Sequence, residues 1–383
     1  MISPTQTVSD NSICTNPKPR WLSAAPSTFF TLLSIFVLSR LAILCIAFVG
    51  YHNFQLEIEP QEKWKTHIEG LWSQFDVLWY KDVVLNGYAE HPFSLEKTNW
   101  GFLPLYPLTV KTILLPLKAK YFFFAASLFS CLMTFAALYL ILDIFKDRIQ
   151  NQRRFLFLYL ISAGSFYLSI PYTESLALFL LACTFYFTQK KQYLLAAIMA
   201  GLGAITRIQL LALLCIPLLP LLLESKALKT LGALIVFSIP TLIHMGYLKY
   251  LTGNPFAFLD MQIPWGNENP YPLEALVRFL SNGMQNNPCQ WLHLFVWSIF
   301  FLCFIRNYKK IPFNELVFCI VVFLISTGTE RFTGAYRYVL MLIPLYIALS
   351  GEEKWFRDLY VCSSLIVGTI YILTFTNANG FAI

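Results

Sequence analysis

Charged side chains are scarce in this chain. Only 13% of its 383 residues are Asp, Glu, Lys or Arg and 57% are hydrophobic, whereas an ordinary soluble domain carries roughly 25% charged residues. A soluble fold of this length could not bury so much apolar surface. Windows of about 20 apolar residues, the length that crosses a bilayer as a helix, recur along the sequence instead. The composition therefore predicts an all-α polytopic integral membrane protein.

Motifs for soluble donors, metals and nucleic acids are also missing. There is no P-loop and no Gly-rich phosphate cradle, so an enzyme of this kind must draw its donor from the membrane or use no activated soluble donor. Neither the nine cysteines nor the five histidines show metal-ligand spacing, so we expect no disulfide framework, no metal and no cofactor. The net charge of +7 comes from short basic clusters between apolar segments, so no nucleic-acid partner is expected.

Eleven apolar segments are predicted to cross the membrane, several of them short for a bilayer. They cover 28–50, 121–145, 155–170, 174–188, 192–206, 208–223, 230–250, 289–305, 313–328, 337–350 and 358–376. Segment 104–117 is apolar too, but it contains three prolines and Lys111. If it does not cross, thirteen Lys and Arg residues of the later loops face the cytoplasm and five face outward. A crossing inverts this bias, against the tendency of cytoplasmic loops to be basic, so we predict a re-entrant or interfacial helix.

This topology divides the chain into a cytoplasmic disordered tail (1–27), one transmembrane domain (28–376) and a short outer tail (377–383). Two polar loops of the domain, 51–120 and 252–288, are predicted to face away from the cytoplasm, and the first contains the re-entrant or interfacial helices. No N-x-Ser/Thr sequon occurs in the sequence. This absence favours a bacterial inner membrane over the endoplasmic reticulum.

The first loop contains the strongest catalytic candidate, Asp76, in an apolar stretch that begins at Trp72. A helical repeat of about 100° per residue places Asp76 and Tyr80 on one face and Asp82 elsewhere. An Asp among aromatics at a membrane surface is costly to ionise, which suits a general base. The alternative is that Asp76 only stabilises the N-terminus of an interfacial helix. Both interpretations remain open from spacing alone.

Several further polar groups could bind a donor or an acceptor. Tyr106 lies between the prolines of 101–107, where its hydroxyl could contact a phosphate or sugar. A turn that only positions the preceding loop is the stronger interpretation of this segment. Tyr172 and Glu174 open a helix at its outer end and could contact a sugar. In the alternative reading Thr173 is an N-cap and Glu174 a favourable first-turn charge, with no function.

Four arginines complete the set of candidates. Arg40 lies near the middle of the first span, where an unpaired cation is costly and marks a functional or partnered buried charge. Arg207, Arg331 and Arg337 are predicted at the outer surface, on the same side as Asp76. Each of these three could simply extend to lipid headgroups. Several guanidinium groups beside a buried acid would instead suit a lipid phosphate, which Arg binds through two parallel hydrogen bonds.

Several short motifs follow one another between about Gln74 and Tyr338. They are Phe75–Asp76, Gly87–Tyr88, Phe102–Pro107, Ser162–Phe166, Tyr172–Ser175, Thr206–Arg207, Thr252–Phe258 with Trp265, and Arg337–Tyr338. This ordered set resembles the PIG-V mannosyltransferases of the GT-C superfamily. Two positions depart from the family pattern, because Phe75 replaces its usual Trp and Leu103 replaces a second Phe. Both replacements stay apolar, so they question the sugar more than the reaction.

The resemblance implies a GT-C-like bundle, here of about 11 transmembrane helices, with a large first non-cytoplasmic loop. It implies an enzyme that moves a hexose, with mannose expected, from a polyprenyl-phosphate sugar donor to a lipid or glycan acceptor at the non-cytoplasmic face. Asp76 would be its general base, and Trp265 and Tyr338 would join the binding residues named above. The rival functions are a transporter or flippase for a lipid-linked saccharide, an oligosaccharide polymerase or ligase, and a non-catalytic membrane scaffold.

Overall fold

The computed structural model describes residues 26–53, 71–264, 273–282, 288–328 and 334–377. These residues form helices and connecting turns, and no strand occurs among them. The helices are α1 (Pro26–Asn53), α2 (Asp76–Asn86), α3 (Leu105–Leu114), α4 (Phe122–Ile144), α5 (Gln152–Leu160), α6 (Glu174–Gln189), α7 (Tyr193–Ala204), α8 (Cys215–Leu223), α9 (Ala227–Thr252), α10 (Ala257–Asp260), α11 (Glu274–Asn282), α12 (Pro288–Asn307), α13 (Phe313–Ser326), α14 (Ala335–Tyr338), α15 (Ile343–Ser350) and α16 (Lys354–Thr376). Most of the two predicted tails, 1–27 and 377–383, lies outside the described residues.

Five helices of the described chain are long and apolar enough to cross a membrane. They cover Ser27–His52, Ala119–Ile144, Ala227–Thr252, Gln290–Lys310 and Lys354–Thr376. Four shorter apolar helical stretches accompany them: Glu174–Gln189, Tyr193–Ala204, Ile208–Leu223 and Phe313–Ser326. The predicted all-helical architecture is therefore confirmed for the described residues, and the five candidate spans support an integral membrane protein. The count of about eleven spans remains a prediction.

Three of the predicted spans are interrupted. Segment 155–170 is helical only to Leu160 and then forms a 3-10 turn, Ser165–Leu168. Segment 208–223 begins as a 3-10 helix before α8, and 337–350 is divided among α14, a 3-10 turn and α15. A broken helix is tolerated inside a membrane protein where other groups satisfy the freed carbonyls. Hydropathy alone does not reveal such breaks, because the interrupted segments stay apolar.

The side chain of Arg40 forms hydrogen bonds with some of these freed carbonyls. Its guanidinium donates to the carbonyl of Ser165 at 2.7 Å, the hydroxyl of Ser169 at 3.3 Å and the carbonyl of Leu160 at 3.4 Å. Thr134 Oγ1 donates to the carbonyl of Leu168 at 2.7 Å. Arg40 is thus a partnered buried charge, and its partners are backbone and hydroxyl oxygens of the broken segment. These contacts give it a structural role.

Segment 104–117 contains the short helix α3, whose ten residues span about 15 Å at 1.5 Å per residue. That is half of the roughly 30 Å hydrocarbon core of a bilayer. The helix is therefore too short to cross by itself, as a re-entrant or interfacial segment would be. It lies against α2 and α4 and is therefore next to the part of the first loop that contains Asp76.

The two predicted outer loops contact one another. The backbone N–H of Phe93 donates to the carbonyl of Thr252 at 3.0 Å, and a small core joins the first loop to α9 and the second loop: Val83, Tyr88, Trp100, Leu103, Leu248, Ala257, Phe258 and Met261. Asn99 fixes the first loop internally by donating to Asp82 Oδ2 at 2.7 Å and to the carbonyl of Gly87 at 2.9 Å. The loops around α2 are therefore well packed and can hold the side chains of a site in fixed positions.

Candidate active site

Asp76 is the first residue of α2, and the backbone just before it is strained. Phe75 has φ 53° and ψ −129°, a combination that is unfavourable for a residue with a side chain and typically costs about 1–3 kcal/mol. The Phe75 ring packs edge-on against Phe375 of α16, with centroids 5.3 Å apart. Packing thus holds a turn that places the carboxylate of Asp76 at the start of the helix. Such strain is common at functional sites.

Four charged side chains from distant parts of the sequence meet beside this turn. Arg337 Nη1 lies 3.5 Å from Asp76 Oδ2, and Arg337 Nε lies 2.5 Å from Glu174 Oε1. Arg207 Nη1 pairs with the same oxygen of Glu174. We call Asp76, Glu174, Arg207 and Arg337 the charge cluster. Its formal charges cancel, with two carboxylates against two guanidinium groups.

The two acids of the charge cluster differ in accessibility. The side chain of Glu174 is 0% exposed, whereas that of Asp76 is 32% exposed; Arg207 and Arg337 lie between them at 11% and 16%. A buried carboxylate between two guanidinium groups serves to hold them, because breaking such a pair leaves charges uncompensated. Asp76 is the acid that a reacting molecule can approach.

The surroundings also make Asp76 more basic than an ordinary aspartate. Burial raises the pKa of its carboxyl above the usual 3.8, and the charge of Glu174 adds to this, while Arg337 and Arg207 act in the opposite direction without cancelling it. A general base is most effective when its pKa approaches the working pH. The direction of this shift therefore suits proton abstraction.

Aromatic rings surround the charge cluster. The Arg337 guanidinium lies over the rings of Tyr167 and Tyr172, 4.7 and 4.8 Å from their centroids. Tyr80, one turn after Asp76, meets Tyr172 and Tyr106 edge to face, with centroids 6.0 and 5.4 Å apart. These rings exclude water and fix the guanidinium plane by cation–π contact. The predicted common face of Asp76 and Tyr80 is present in the structure.

A second set of contacts fixes Arg207. Its Nε donates to Gln209 Oε1 at 3.3 Å, and Gln209 Nε2 donates to the hydroxyl of Tyr338 at 2.9 Å. The hydroxyl of Thr173 accepts from Arg207 Nη1 at 3.4 Å. Thr173 is the N-cap residue of α6, as the alternative interpretation expected, but its side chain makes no capping hydrogen bond to the helix. The hydroxyl points to the guanidinium instead of the helix end.

The remaining predicted residues lie in different places. Tyr106 is fully buried and its hydroxyl faces Ser130 Oγ at 3.4 Å, so its ring, rather than its hydroxyl, borders the cluster. Asp82 accepts from Asn86 and Asn99 and points away from Asp76, as the helical repeat predicts. Trp265 and Arg331 lie outside the described residues, so their binding roles remain predictions.

Sequence reasoning missed three residues at this site. Tyr167 contacts Arg337, Phe375 packs against Phe75, and Gln209 links Arg207 to Tyr338. Tyr167 and Phe375 sit in apolar segments without a charge or motif to mark them. Of the three, only Gln209 could have been identified from the sequence. It follows Arg207 by two residues, and an amide between two apolar residues needs a polar partner.

No cluster of three or more His, Cys, Asp and Glu side chains that could hold a metal occurs among the described residues. The acidic residues Glu57, Glu59, Glu62 and Glu69 lie outside them. The expectation that no metal and no cofactor is used therefore stays a prediction. Within the charge cluster, the guanidinium groups of Arg207 and Arg337 supply positive charge beside the carboxylates of Asp76 and Glu174.

Comparison with solved structures shows a likeness of fold. A crystal structure of the Archaeoglobus fulgidus oligosaccharyltransferase in the apo form matches with a TM-score of 0.50 and 11% identity, over 90% of this chain and 56% of that one. The same enzyme tethered to an acceptor peptide matches with 0.47 and 12% identity, covering 89% and 55%. A third, AglB with an inhibitory peptide and a dolichol-phosphate, matches with 0.41 and 12% identity, covering 87% and 56%.

The chain therefore spans little more than half the length of these structures. No protein-family model matches it, and a search of curated proteins gave no significant match. At such low identity the likeness concerns the fold alone. The chain shares its helical fold with the Archaeoglobus fulgidus oligosaccharyltransferase, and membership of the PIG-V family remains a prediction.

Proposed function

We propose that the chain is a membrane glycosyltransferase that transfers a hexose, mannose in the first instance, from a polyprenyl-phosphate sugar to a lipid or glycan acceptor. The observation that carries this proposal is the charge cluster. An accessible acid of raised pKa lies 3.5 Å from a guanidinium that a buried carboxylate holds in place. One base and a set of preorganised cations are what transfer from a lipid phosphate needs.

The proposed reaction is a single displacement with inversion at the anomeric carbon. Asp76 accepts the proton of the acceptor hydroxyl while that oxygen forms a bond to the anomeric carbon. The bond from this carbon to the phosphate oxygen breaks, and the lipid phosphate leaves with the electron pair. Arg207 and Arg337 stabilise its charge, as guanidinium groups do for phosphate. A phosphate is a good leaving group, so no strong general acid is required.

The donor and acceptor would lie along the aromatic border of the charge cluster. Tyr80, Tyr172 and Tyr338 would orient a sugar there, and Trp265 and Arg331 keep their predicted binding roles. Tyr106 would contribute only its ring, because its hydroxyl faces Ser130. Phe75 packs against Phe375. The departure from the usual Trp at this position therefore alters the wall beside Asp76 and bears on which sugar fits.

The proposed sidedness is supported by the distribution of charge in the sequence. Thirteen Lys and Arg residues after residue 145 are predicted in loops on the side opposite Asp76, and the positive-inside tendency favours a non-cytoplasmic position for the charge cluster. A bacterial inner membrane is proposed in preference to the endoplasmic reticulum. Labelling of engineered single cysteines with a membrane-impermeant reagent tests this placement.

The function is tested with purified protein in lipid nanodiscs and vesicles. A radiolabelled polyprenyl-phosphate mannose is supplied together with a lipid extract, and products are separated by chromatography. We expect label to move to a new lipid or glycan with inverted anomeric configuration. Movement of the intact donor across vesicles without transfer would identify a transporter, and neither activity would identify a scaffold. Transfer of a preassembled oligosaccharide but not of a single hexose would identify a ligase.

A further inference from the structure

A polar groove lies at the end of the bundle opposite the charge cluster. It consists of two adjoining cavities of about 320 and 300 Å³, which share Ile144, Asp147 and Gln189. The groove lies where α4 and α6 end and α13 begins. Because α6 runs sixteen residues from Glu174 to Gln189, about 24 Å separates the groove from the charge cluster. We call it the opposite-end groove.

The opposite-end groove is lined by charges of both signs. The carboxylates are Asp143, Asp147 and Glu315, and the cations are Lys146, Arg148 and Lys190. Arg148 Nη1 donates to Glu315 Oε1 at 2.6 Å, with the Glu315 side chain 8% exposed and Arg148 32% exposed. A ligand of single charge would meet like charges along part of this lining. A ligand that carries both signs would not.

The ion pair leaves polar atoms of the groove unsatisfied. Glu315 Oε2 and Thr188 Oγ1 are buried and have no hydrogen-bond partner in the described part of the chain. Buried polar atoms in proteins are nearly always hydrogen-bonded. A carboxylate oxygen accepts only, so Glu315 Oε2 requires a donor from outside these residues. An ammonium group with N–H bonds donates a charge-assisted hydrogen bond to a carboxylate, which is roughly twice as strong as a neutral one.

The position of the groove indicates which kind of molecule could supply that hydrogen-bond donor. Ile144 is the last residue of the apolar stretch Ala119–Ile144, which is long enough to cross a membrane. Phe313, the first residue of α13, is 57% exposed and adjoins Pro312 of the groove lining. The groove therefore opens where the hydrocarbon core gives way to headgroups.

We infer that the opposite-end groove binds the headgroup of a zwitterionic phospholipid with a primary ammonium, an ethanolamine phospholipid. Its ammonium donates to Glu315 Oε2, and its phosphate lies against the cations of the lining. A choline headgroup has the same charges but no N–H donor, so it leaves Glu315 Oε2 unsatisfied. An anionic glycerol headgroup has the phosphate but no cation, so it meets the carboxylates uncompensated. This inference does not depend on the proposed function.

The test uses the full-length protein and phospholipids with identical acyl chains. Ethanolamine, N-methyl, N,N-dimethyl and choline headgroups are added in turn at equal concentration, and the bound lipid is counted by native mass spectrometry. Retention should fall as N–H donors are removed, with about a tenfold difference between ethanolamine and choline, the ratio typical of one hydrogen bond to a charged group. Equal retention of the ethanolamine and choline lipids, or stronger retention of a glycerol lipid, would overturn the inference.

Variants then locate the binding. Glu315→Gln removes the carboxylate but keeps the shape, and it should abolish the ethanolamine preference. Asp358→Asn, an exposed carboxylate of α16, is the matched control and should keep it. If the preference persists in a folded Glu315→Gln protein, the lipid binds elsewhere and the inference fails. If that variant does not fold, the methylation series with the wild-type protein decides alone.

Discussion

The two ends of the helical bundle use the same residue types in different ways. At the end opposite Asp76, Arg148 pairs with Glu315, and Arg306 lies 3.0 Å from Glu352. Each buried carboxylate there has one arginine. At the charge cluster one buried carboxylate holds two arginines, and one of these also faces an accessible acid. We propose that the isolated pairs stabilise the fold, whereas the guanidinium shared with an accessible acid takes part in the proposed reaction.

Arg337 and Arg148 give the largest test of this contrast. Arg337→Lys keeps the charge but loses the planar fork that reaches Glu174 and Asp76 together, so transfer should fall about 10²–10³-fold, as when one preorganised donor to a developing charge is removed. Arg148→Lys should leave the transfer rate within about threefold, because its partner lies far from the reacting atoms. Initial rates with labelled donor measure both. Equal losses in the two variants would remove the distinction between the ends.

Glu174 and Glu352 test the same contrast in stability. Glu174→Gln leaves two guanidinium groups without their main counter-charge, so the free energy of unfolding should fall by about 3 kcal/mol. Glu352→Gln should cost about 1 kcal/mol, since Arg306 is partly exposed and also lies near Glu353. Thermal unfolding in detergent compares them. A larger loss for Glu352→Gln would contradict the assigned roles.

Gly164 provides a smaller test through backbone packing. A methyl group there would lie 2.9 Å from the carbonyl oxygen of Tyr336, the residue before Arg337. Gly164→Ala should therefore displace α14, cost about 1–3 kcal/mol of stability and lower the transfer rate. Gly246→Ala is the control, because apart from the adjacent residues and backbone of its own helix no atom of the described chain lies within 4 Å of the added carbon. If both variants behave alike, the position of Arg337 does not depend on this contact.

The pH dependence is the mildest expected effect. Asp76 acts as a base in its ionised form, and burial raises its pKa above 3.8. Transfer should therefore decline on acidification at a higher pH than an ordinary aspartate would give. Removing the charge of Glu174, which also raises this pKa, should move the decline to lower pH. A rate profile of Glu174→Gln against wild type measures the shift, and a shift to higher pH would contradict the account.

The helical architecture was predictable because it rests on apolar content and segment length alone. The prediction that segment 104–117 does not cross the membrane came from the distribution of Lys and Arg among the later loops. The meeting of Asp76, Arg207 and Arg337 was also expected, since all three were placed at one end of the bundle. The sequence marked Asp82 as pointing elsewhere, and Asn86 and Asn99 do bind it there.

Other features could not be read from the pattern. The break after Leu160 leaves no trace in hydropathy, because Arg40 and Ser165 satisfy the carbonyls without changing the apolar run. Glu174 looked like an ordinary first-turn charge. Its role as the common partner of two arginines depends on contacts between residues more than 30 positions apart. Such pairings are fixed by tertiary packing.

The central claim is that Asp76 removes the proton of the acceptor. Transfer of labelled hexose by Asp76→Asn, in the same membrane preparation as wild type and as Glu90→Gln, an exposed acid of the same loop, tests it most directly. We expect Asp76→Asn to lose about 10²–10⁴-fold in rate, the usual contribution of general base catalysis, with unchanged thermal unfolding, and Glu90→Gln to match wild type. Full activity of a folded Asp76→Asn protein would contradict the account.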